Sequence, residues 1–295
     1  MNAPRPMRYS GDDDTADKAA IHEIAVAAWE PIMRRYRMIV GPDLWDAVWR
    51  GWQDSWLKSV NGYVTEIDGK IVGFATYRKT APGVAEVGAN AVHPEWQGRG
   101  LGEAQMRALV GVFRECGYHA AWVHTGLDPA HGPARAQYRK VGLTTGLLCA
   151  GYYGDLREVP DIPPPAGVRF RWATPDDAGS VRAIGARAWE PLHAGIRATV
   201  GSDIYALTHT SALDEKADEF GRATDHPRTV LLAEIGGTPV AFACLEGAAS
   251  RKLGKIRAVA VAPERQSGGI GAALCMEVFR RFQDRLDRLV LQVGQ

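Results

Sequence analysis

One short motif occurs twice in this chain. Residues 97–102 read Gln-Gly-Arg-Gly-Leu-Gly, and residues 266–271 read Gln-Ser-Gly-Gly-Ile-Gly. Each copy follows an apolar alternating stretch that ends in Pro-Glu and precedes an amphipathic segment, which predicts a strand, a tight loop and the start of a helix. A chain of 295 residues is long enough for two ordinary domains. We therefore expect two similar units, one around each loop.

The repeat extends well beyond the loops. Ala28 to Ile32 reads Ala-Trp-Glu-Pro-Ile, and Ala188 to Leu192 reads Ala-Trp-Glu-Pro-Leu. Glu66 to Gly69 likewise matches Glu234 to Gly237, where Asp-Gly and Gly-Gly pairs between alternating strands predict β-hairpins. Duplication is the best explanation for this ordered series. The proline of each Trp-Glu-Pro is expected to end the first helix of its half.

A proline-rich segment separates the two halves. Residues 159–167 read Val-Pro-Asp-Ile-Pro-Pro-Pro-Ala-Gly, and prolines favour a stiff extended linker. We place the first domain at 1–158 and the second at 168–295. Closing strand material of the first is expected from Leu143 to Leu156. The second reaches only its matching strand, Leu289 to Val293, so we expect its final helix and strands to be missing.

The composition of the loops suits a diphosphate. Glycines let the backbone approach a ligand closely, and the amides of a first helical turn favour negative charge. A Walker loop would end in Gly-Lys-Ser/Thr, but Glu103 follows Gly102 and Ala272 follows Gly271. A dinucleotide fingerprint needs a third glycine, but Glu103 and Leu274 stand at those positions. Both of these phosphate motifs are therefore excluded, and a glycine-rich helix entry without a ligand is the remaining alternative.

The pattern Gln-x-x-Gly-x-Gly after a strand resembles the coenzyme A loop of the GNAT superfamily of N-acetyltransferases. The resemblance covers essentially the whole chain and implies an α/β (α+β) fold: two tandem domains, each a mixed, mostly antiparallel sheet flanked by helices, the second shortened. Coenzyme A would lie where two parallel strands splay apart, Glu86 to Val92 beside Ala120 to His124 and the matching pair in the second half. The cofactor-binding residues so implied are Ala91, Val92, Gln97, Gly98, Arg99, Gly100, Leu101, Gly102 and Glu103, with Val261, Gln266, Ser267, Gly268, Gly269, Ile270, Gly271 and Ala272.

The same resemblance implies two catalytic residues. Residues 134–143 resemble the last-helix signature of the family, in which a tyrosine donates a proton to the departing thiolate, so Tyr138 is the expected acid. Glu86, on the strand before the loop, is the expected general base, with a solvated strand residue as the alternative. Alternation places Glu86 on one face with Gly88, Asn90 and Val92. The sequence departs from the family pattern at Leu143, where an aromatic residue is usual, and at His131, where an asparagine touching the cofactor is common.

The second half is expected to be degenerate. Lys255 stands where the first half has Glu86, and we find no counterpart of Tyr138. The resemblance therefore implies one active domain, which transfers acetyl from acetyl-CoA directly to a primary amine in a ternary complex. The alternatives are a non-catalytic acyl-CoA-binding or scaffold protein, and an acetyltransferase acting on a protein N-terminus or lysine.

The composition limits the classes of partner and the compartment that we expect for this chain. A net charge of +1 lacks the basic stripe of nucleic-acid-binding proteins and, within the resemblance, favours a small-molecule acceptor. Histidines and cysteines form no metal-binding motif, and no segment resembles a signal peptide or a membrane span, so we predict neither a metal nor a membrane partner. Four scattered cysteines suggest reduced thiols. We predict a cytoplasmic monomer or homodimer.

Overall fold

The computed structural model describes residues 5–6, 16–49, 61–146, 150–155, 162–209, 212–248, 253–282 and 288–293. They form two compact units, the first drawn mainly from residues before 147 and the second mainly from residues after it. Each unit is built on one mixed sheet. The predicted mixed α/β architecture with two flanked sheets is therefore confirmed.

The first unit has a five-stranded sheet in the order β1-β2-β3-β4-β5. Neighbouring strands are antiparallel except β4 and β5, which are parallel. The strands are β1 (Arg5–Pro6), β2 (Asn61–Ile67), β3 (Lys70–Ala81), β4 (Val84–Val92) and β5 (Ala120–Val123). The helices of this part of the chain are α1 (Ala16–Val40), α2 (Pro42–Trp49), α3 (Leu101–Glu115) and α4 (Gly132–Lys140), with 3-10 turns at Pro94–Trp96 and Pro129–His131.

Separate apolar cores cover the two faces of this sheet. On one face, which we call the α1 face, α1 packs against the strands through a cluster of buried side chains: Ile21, Ile24, Ala25, Val64, Phe74 and Ala91. On the other, the α3 face, α3 and α4 pack through Ala75, Ala85, Val87, Met106, Leu109, Phe113 and Tyr138. The alternation of the strands assigns each residue to one core or the other, since successive side chains point to opposite faces.

The second unit has a six-stranded sheet in the order β6-β11-β10-β9-β8-β7, in which only β10 and β11 are parallel. Its strands are β6 (Ala150–Asp155), β7 (Val168–Trp172), β8 (Val230–Ile235), β9 (Thr238–Ala248), β10 (Leu253–Val261) and β11 (Arg288–Val293). The helices in this part of the chain are α5 (Ala178–Val200), α6 (Ser202–His209), α7 (Ala212–Arg222) and α8 (Ile270–Phe282), with 3-10 turns at Pro175–Asp177, Ala223–Asp225 and Pro263–Arg265.

Both predicted hairpins are present. Asp68 and Gly69 connect β2 to β3 with φ of 51° and 76°, and Gly236 and Gly237 connect β8 to β9 with φ of 59° and 81°. Two consecutive residues with positive φ are what a type I′ turn requires, and that turn matches the twist of the strands it joins.

The strand β6 corrects one expectation. We expected residues 143–156 to close the first sheet, but Ala150–Asp155 pairs antiparallel with β11 over six residues, from Ala150 opposite Val293 to Asp155 opposite Arg288. With β10 on one side, β11 would otherwise present an unpaired edge, and β6 satisfies that edge. Sequence order does not reveal which edge a strand will join. The domain limits 1–158 and 168–295 remain a proposal, with β6 as the segment in question.

Proline substitutions in β6 test this pairing in solution. In an edge strand only every second backbone amide points at the neighbouring strand. Of the two variants Tyr152→Pro and Tyr153→Pro, one therefore removes a hydrogen-bond donor from the ladder with β11, and the other serves as its control. We expect the variant that loses this donor to increase amide hydrogen exchange in residues 288–293 at least about fivefold, since a lost ladder bond lowers local stability by about 1 kcal/mol or more. Faster exchange in β5 with β11 unchanged would instead assign the segment to the first unit.

The tryptophan-glutamate-proline repeats do not end their helices. Pro31 lies inside α1 and Pro191 inside α5, contrary to our expectation. A proline removes one backbone hydrogen bond and bends a helix, but the helix continues when packing holds its two ends. On α1 the residues before Pro31 are buried against the sheet, so the amino-terminal half is fixed by packing.

Within the described ranges, no helix is long and apolar enough to span a bilayer. The same part of the chain holds no group of three or more histidine, cysteine, aspartate or glutamate side chains arranged to bind a metal. Burial raises the pKa of the Cys244 and Cys275 thiols to about 11. Both thiols therefore stay protonated and weakly nucleophilic at neutral pH.

Candidate active site

The first glycine loop connects β4 to α3. Gly98 and Gly100 have φ of 74° and 75°, in the left-handed region that residues with a Cβ rarely adopt. A Cβ built at either position has no heavy atom within 4 Å. The backbone conformation therefore favours glycine at both positions, and the space beside each of them is open.

The loop presents unpaired backbone amides at the start of α3. The first helical bond runs from the Ala104 amide to the Gly100 carbonyl, at 3.0 Å. The amides of Leu101, Gly102 and Glu103 precede the point at which an intrahelical acceptor becomes available. In the described ranges none of the three donates to a backbone carbonyl. This helix end is therefore suited to an anion.

Gln97 fixes the loop to the strand before it. Its side-chain Nε2 donates to the Val92 carbonyl at 2.9 Å. Next to it, the Arg99 guanidinium donates to the Glu95 carbonyl at 3.1 Å and lies over the Trp96 ring, 4.7 Å from its centroid. The side chain of the predicted site residue Gln97 thus bonds to the backbone of β4 and fixes the position of the loop.

Gly102, the third glycine of the motif, lies in close contact with α4. A Cβ on Gly102 would come within 2.8 Å of the Gln137 side chain of α4, whose Nε2 donates to the Gly102 carbonyl at 2.7 Å. Glu103 is neutralised by Lys140 of α4 at 2.9 Å and by Arg107 at 2.8 Å. The hydrogen bond from Lys140 and, to a smaller extent, the hydrogen bond from Arg107 lower the pKa of Glu103. The loop is thereby joined to α4, which carries Tyr138.

The parallel strands β4 and β5 separate next to this loop. They pair from Val84 opposite Ala120 to Val87 opposite Val123. Gly88 to Val92 continue along β4 with no strand on that side in the described part of the chain. The edge of β4 therefore offers backbone groups to a bound molecule. The two predicted strands and their parallel pairing are both present.

A β-bulge in β4 changes which residues share a face. Ala75 lies opposite Asn90 and Tyr77 opposite Val87, so three steps on β4 face two on β3. Val87 and Asn90 are consequently both on the α3 face, and Glu86 is on the α1 face. Our expectation that Glu86 and Asn90 share a face was wrong, because simple alternation does not allow for the extra residue.

Tyr138 reaches the open part of β4 from the α3 face. Its side chain is 6% exposed, and its hydroxyl accepts a hydrogen bond of 2.8 Å from the Asn90 side-chain amide. Burial raises the pKa of Tyr138, and the bond from Asn90 offsets part of that increase. Because Asn90 donates, the phenolic hydrogen is left available for another acceptor.

Glu86 is buried on the opposite face. The residue is 8% exposed, and its Oε2 accepts a hydrogen bond from Arg78 Nε, directly across on β3. This ion pair fixes the carboxylate in one orientation and leaves Oε1 as its second acceptor. The structure therefore places the two predicted catalytic residues on opposite faces of β4, with Glu86 in its last residues paired with β5 and Tyr138 at its opened part.

The second unit repeats the loop and its attachment. Ser267 and Gly269 have φ of 63° and 78°, like Gly98 and Gly100. The Gln266 side chain donates to the Val261 carbonyl at 3.0 Å, as Gln97 does to Val92. The Ala273 amide bonds to the Gly269 carbonyl, also at 3.0 Å, which leaves the amides of Ile270, Gly271 and Ala272 at the start of α8.

The surroundings of this second loop differ. β10 contains a matching bulge between Ile256 and Ala258, and its pairing with β11 ends at Ile256 opposite Leu291. At the positions that correspond to Glu86 and Asn90 stand Lys255 and Val259. A valine offers no donor to orient an acid, so Asn90 has no polar counterpart at the matching position of β10.

Sequence reasoning missed the partners of the predicted residues. Asn90 was placed on a strand but not connected to Tyr138, and Gln137 was not identified as the residue that packs on Gly102. The signal for Asn90 was the single amide side chain in a strand that is apolar apart from Glu86, since buried polar groups are usually hydrogen-bonded. Its partner lies 48 residues later, beyond any local pattern.

Comparison with known families identifies both halves of the chain. The sequence profile of the acetyltransferase (GNAT) family matches residues 19–143 and 201–295. These ranges include both glycine loops. A GCN5-related N-acetyltransferase from Sphaerobacter thermophilus has a similar fold, with a TM-score of 0.58 and 19% identity, over 94% of this chain and 84% of that protein.

Relatives with assigned names are also similar. A mycothiol acetyltransferase from Streptomyces bingchenggensis is 31% identical over 213 residues, which cover 71% of this chain and 64% of that protein. One from Mycolicibacterium vanbaalenii is 28% identical over 222 residues, or 74% of this chain and 67% of that protein. The matched part thus spans slightly less than two thirds of the first relative. The two profile matches show that this chain belongs to the acetyltransferase (GNAT) family, as a tandem of two GNAT units.

Proposed function

We propose that the first unit is an acetyl-CoA-dependent N-acetyltransferase that acts on a primary amine of a small molecule. The observation that carries the proposal is the hydroxyl of Tyr138, held by Asn90 at the edge of β4 where β5 has separated. The glycine loop lies at the end of the same strand. An acid, an open strand edge and an anion-binding helix end are thus combined in one unit.

The residues present fit acetyl-CoA. The amides of Leu101 to Glu103 would hold its diphosphate, and the space beside Gly98 and Gly100 admits a close approach. The free edge of β4, around Ala91, would hold the pantetheine amide groups. When bound, acetyl-CoA supplies a thioester carbonyl as the acetyl donor. The Gln97 and Gln137 side chains keep the loop in the conformation that this binding requires.

Tyr138 would supply the proton for the departing thiolate. A simple thiol has a reference pKa near 8.5, well below that of a tyrosine near 10, and burial raises the pKa of Tyr138 further. The phenol therefore remains protonated over the working pH range, which a general acid requires. Its bond from Asn90 orients the oxygen while leaving the phenolic hydrogen free to be donated.

Glu86 would act from the α1 face. The opening between β4 and β5 passes through the sheet, so a donor on the α3 face and an acceptor on the α1 face could reach the same carbonyl. In this arrangement the carboxylate takes a proton from the attacking nitrogen while Tyr138 protonates the sulfur on the other side. Arg78 holds Oε2, and Oε1 remains for the proton.

The acceptor is proposed from the relatives. They are named mycothiol acetyltransferases, after a small molecule, and we propose an acceptor of the same size class here. The second unit favours a different role, since its loop geometry is retained whereas Lys255 and Val259 replace the polar pair. We propose that it binds acyl-CoA without catalysis.

Thiol release and calorimetry test both proposals. We expect acetyl-CoA to bind with a Kd on the order of micromolar, and free thiol to appear only when an amine is added. The panel comprises glucosamine, spermidine, phenethylamine, a lysine peptide and the acceptor of the mycothiol acetyltransferases. Binding without thiol release for every amine would support a non-catalytic acyl-CoA-binding protein instead. A stoichiometry of two, reduced to one by Gly269→Val, would support binding in the second unit.

A further inference from the structure

A histidine-aspartate pair lies at the carboxyl end of β5 and is not used by the mechanism above. His131 Nδ1 is 2.5 Å from Asp128 Oδ2, and the Tyr36 hydroxyl of α1 donates to the same oxygen at 3.2 Å. The side chains of His131 and Asp128 are 22% and 16% exposed. Three elements of the first unit meet here: α1, the loop after β5, and the 3-10 turn before α4.

The geometry selects one tautomer of the imidazole. An ionised carboxylate can only accept, so Nδ1 of His131 carries the hydrogen and Nε2 of the neutral ring keeps its lone pair. Nε2 makes no hydrogen bond within the described part of the chain. Burial acts to raise the pKa of Asp128, but the hydrogen bond from His131 opposes it, and the pKa is lowered. The pair is thus a base with a fixed orientation.

The surrounding loop is shaped to hold this pair. A Cβ on Gly126 would come within 2.5 Å of His131 Nδ1 and 2.7 Å of Asp128 Oδ2, so only a glycine leaves room for them. Arg135 of α4 donates to the carbonyls of Gly126 and Asp128, and the Asp128 Oδ1 caps the 3-10 turn through the Ala130 amide. The close approach of Gly126, the hydrogen bonds from Arg135 and the Ala130 amide therefore hold the two side chains in place.

The same loop contains an unsatisfied polar atom. Thr125 Oγ1 is buried and has no hydrogen-bond partner among the described residues. A buried hydroxyl without a partner is uncommon, and a bound molecule is one way in which it is satisfied. Three exposed apolar side chains follow in the same segments: Met38 and Ile39 near Tyr36 on α1, and Leu127 beside Asp128, with exposures of 74%, 67% and 59%. The unsatisfied hydroxyl of Thr125 and the exposed Leu127 therefore belong to the same loop as Asp128.

We propose that His131, oriented by Asp128, takes the first proton from the acceptor ammonium as it enters on the α1 side of the opening. This inference rests on the proposed function. An amine with a pKa near 10.4 is almost entirely protonated at neutral pH and cannot attack a carbonyl until that proton is removed. The loop that holds His131 begins where β5 ends, at the mouth of the opening between β4 and β5.

The protons balance over the whole reaction. Nε2 of His131 accepts one proton from the ammonium and later releases it to water. The neutral nitrogen forms a bond to the carbonyl carbon, and its second proton passes to Glu86 as the carbon-sulfur bond breaks. Tyr138 gives its proton to the thiolate. Glu86 then loses its proton to water and Tyr138 regains one, so the net release is one proton for each acetyl group transferred.

The experiment compares His131→Asn with the wild-type chain across pH. With spermidine or phenethylamine, whichever is turned over faster, we expect kcat/KM for the amine to fall about 100-fold at pH 7. The loss should shrink to a few-fold as the pH approaches the pKa of the amine, because the free base is then already present. Asp128→Asn should lower kcat/KM for the amine about tenfold. Added imidazole should partly restore the activity of the His131→Asn variant.

Two controls make the outcome specific. Trifluoroethylamine is neutral at pH 7 and should show less than about a threefold difference between His131→Asn and wild type, since no proton has to be removed. His119→Ala changes an exposed histidine at the other end of β5 and should behave as wild type. Acetyl-CoA binding, measured by calorimetry, should be unchanged in all variants, which also shows that they are folded.

The failures are distinguishable. If the wild-type chain releases no thiol with any amine, the proposed function fails. If the wild type is active and the loss in His131→Asn is the same at every pH, or appears only as weaker acetyl-CoA binding, then His131 contacts the cofactor or supports the loop. Either result would overturn the proposal while leaving the acetyltransferase function in place.

Discussion

Tyr138→Phe is expected to lower kcat by two to three orders of magnitude, within the range for loss of a general acid. The substitution removes one hydroxyl from a buried ring and leaves the apolar packing with Met106 and Leu109 intact. Acetyl-CoA affinity should change by less than about twofold, since the phenol protonates the leaving sulfur and does not hold the diphosphate. Steady-state thiol release and calorimetry measure the two quantities separately.

Tyr118→Phe is the matched control. Tyr118 packs against the same core, in an edge-to-face contact with Phe113 whose ring centroids are 5.7 Å apart. Its kcat should equal that of the wild type. Equal losses in both variants would mean that tyrosine hydroxyls support the core in general, and an unchanged kcat in Tyr138→Phe would leave the leaving group to be protonated by water.

Gly100→Val is expected to weaken acetyl-CoA binding about 100-fold. A β-branched residue at φ of 75° is strained by roughly 1–2 kcal/mol, and its side chain would project into the space that a diphosphate needs. A 100-fold change in Kd corresponds to about 2.8 kcal/mol, which we expect from the strain and the steric clash together. Calorimetry on the full chain in the Gly269→Val background, which removes the proposed site of the second unit, gives the Kd of the first loop. The thermal midpoint should fall by only a few degrees because Gly100 is exposed.

Gly98→Ser provides the comparison for this prediction. The equivalent position in the second loop is Ser267, which already has φ of 63°, so a serine is compatible with this conformation. We expect a change in Kd of less than about fivefold, or about 1 kcal/mol, since Ser267 shows that this loop conformation accommodates a serine at the same position. If Gly100→Val binds as tightly as the wild type, the diphosphate does not lie on this loop.

Part of the site was readable from the sequence because its determinants are local. Gly98 and Gly100 predict a left-handed turn, and the motif before α3 predicts unpaired amides at the start of that helix. Both features depend on residues that are neighbours in the chain. Tyr138 could be placed through the family resemblance. The partner of each predicted residue could not be read in the same way, because Asn90 and Tyr138 meet across 48 positions of sequence.

The bulge in β4 shows why simple periodicity was not sufficient. A period of two predicts that Glu86 and Asn90 share a face, and one extra residue between Val87 and Asn90 reverses that assignment. The consequence is functional, since it moves the expected base to the α1 face and leaves the expected acid on the α3 face. A bulge has no reliable sequence signature, because it is set by pairing with the neighbouring strand.

The sequence alone determined the duplication, the two glycine loops and the hairpins, because each follows from short-range backbone preferences or from a repeat visible in the chain. The parallel strand pairs were expected from the family resemblance. Tertiary structure alone decided that β6 completes the second sheet, that Glu86 and Tyr138 lie on opposite faces, and that His131 is paired with Asp128 and Tyr36. These features depend on which strand edges pair and which helices pack together. Such contacts are selected by the free energy of the whole fold, to which residues far apart in sequence contribute together.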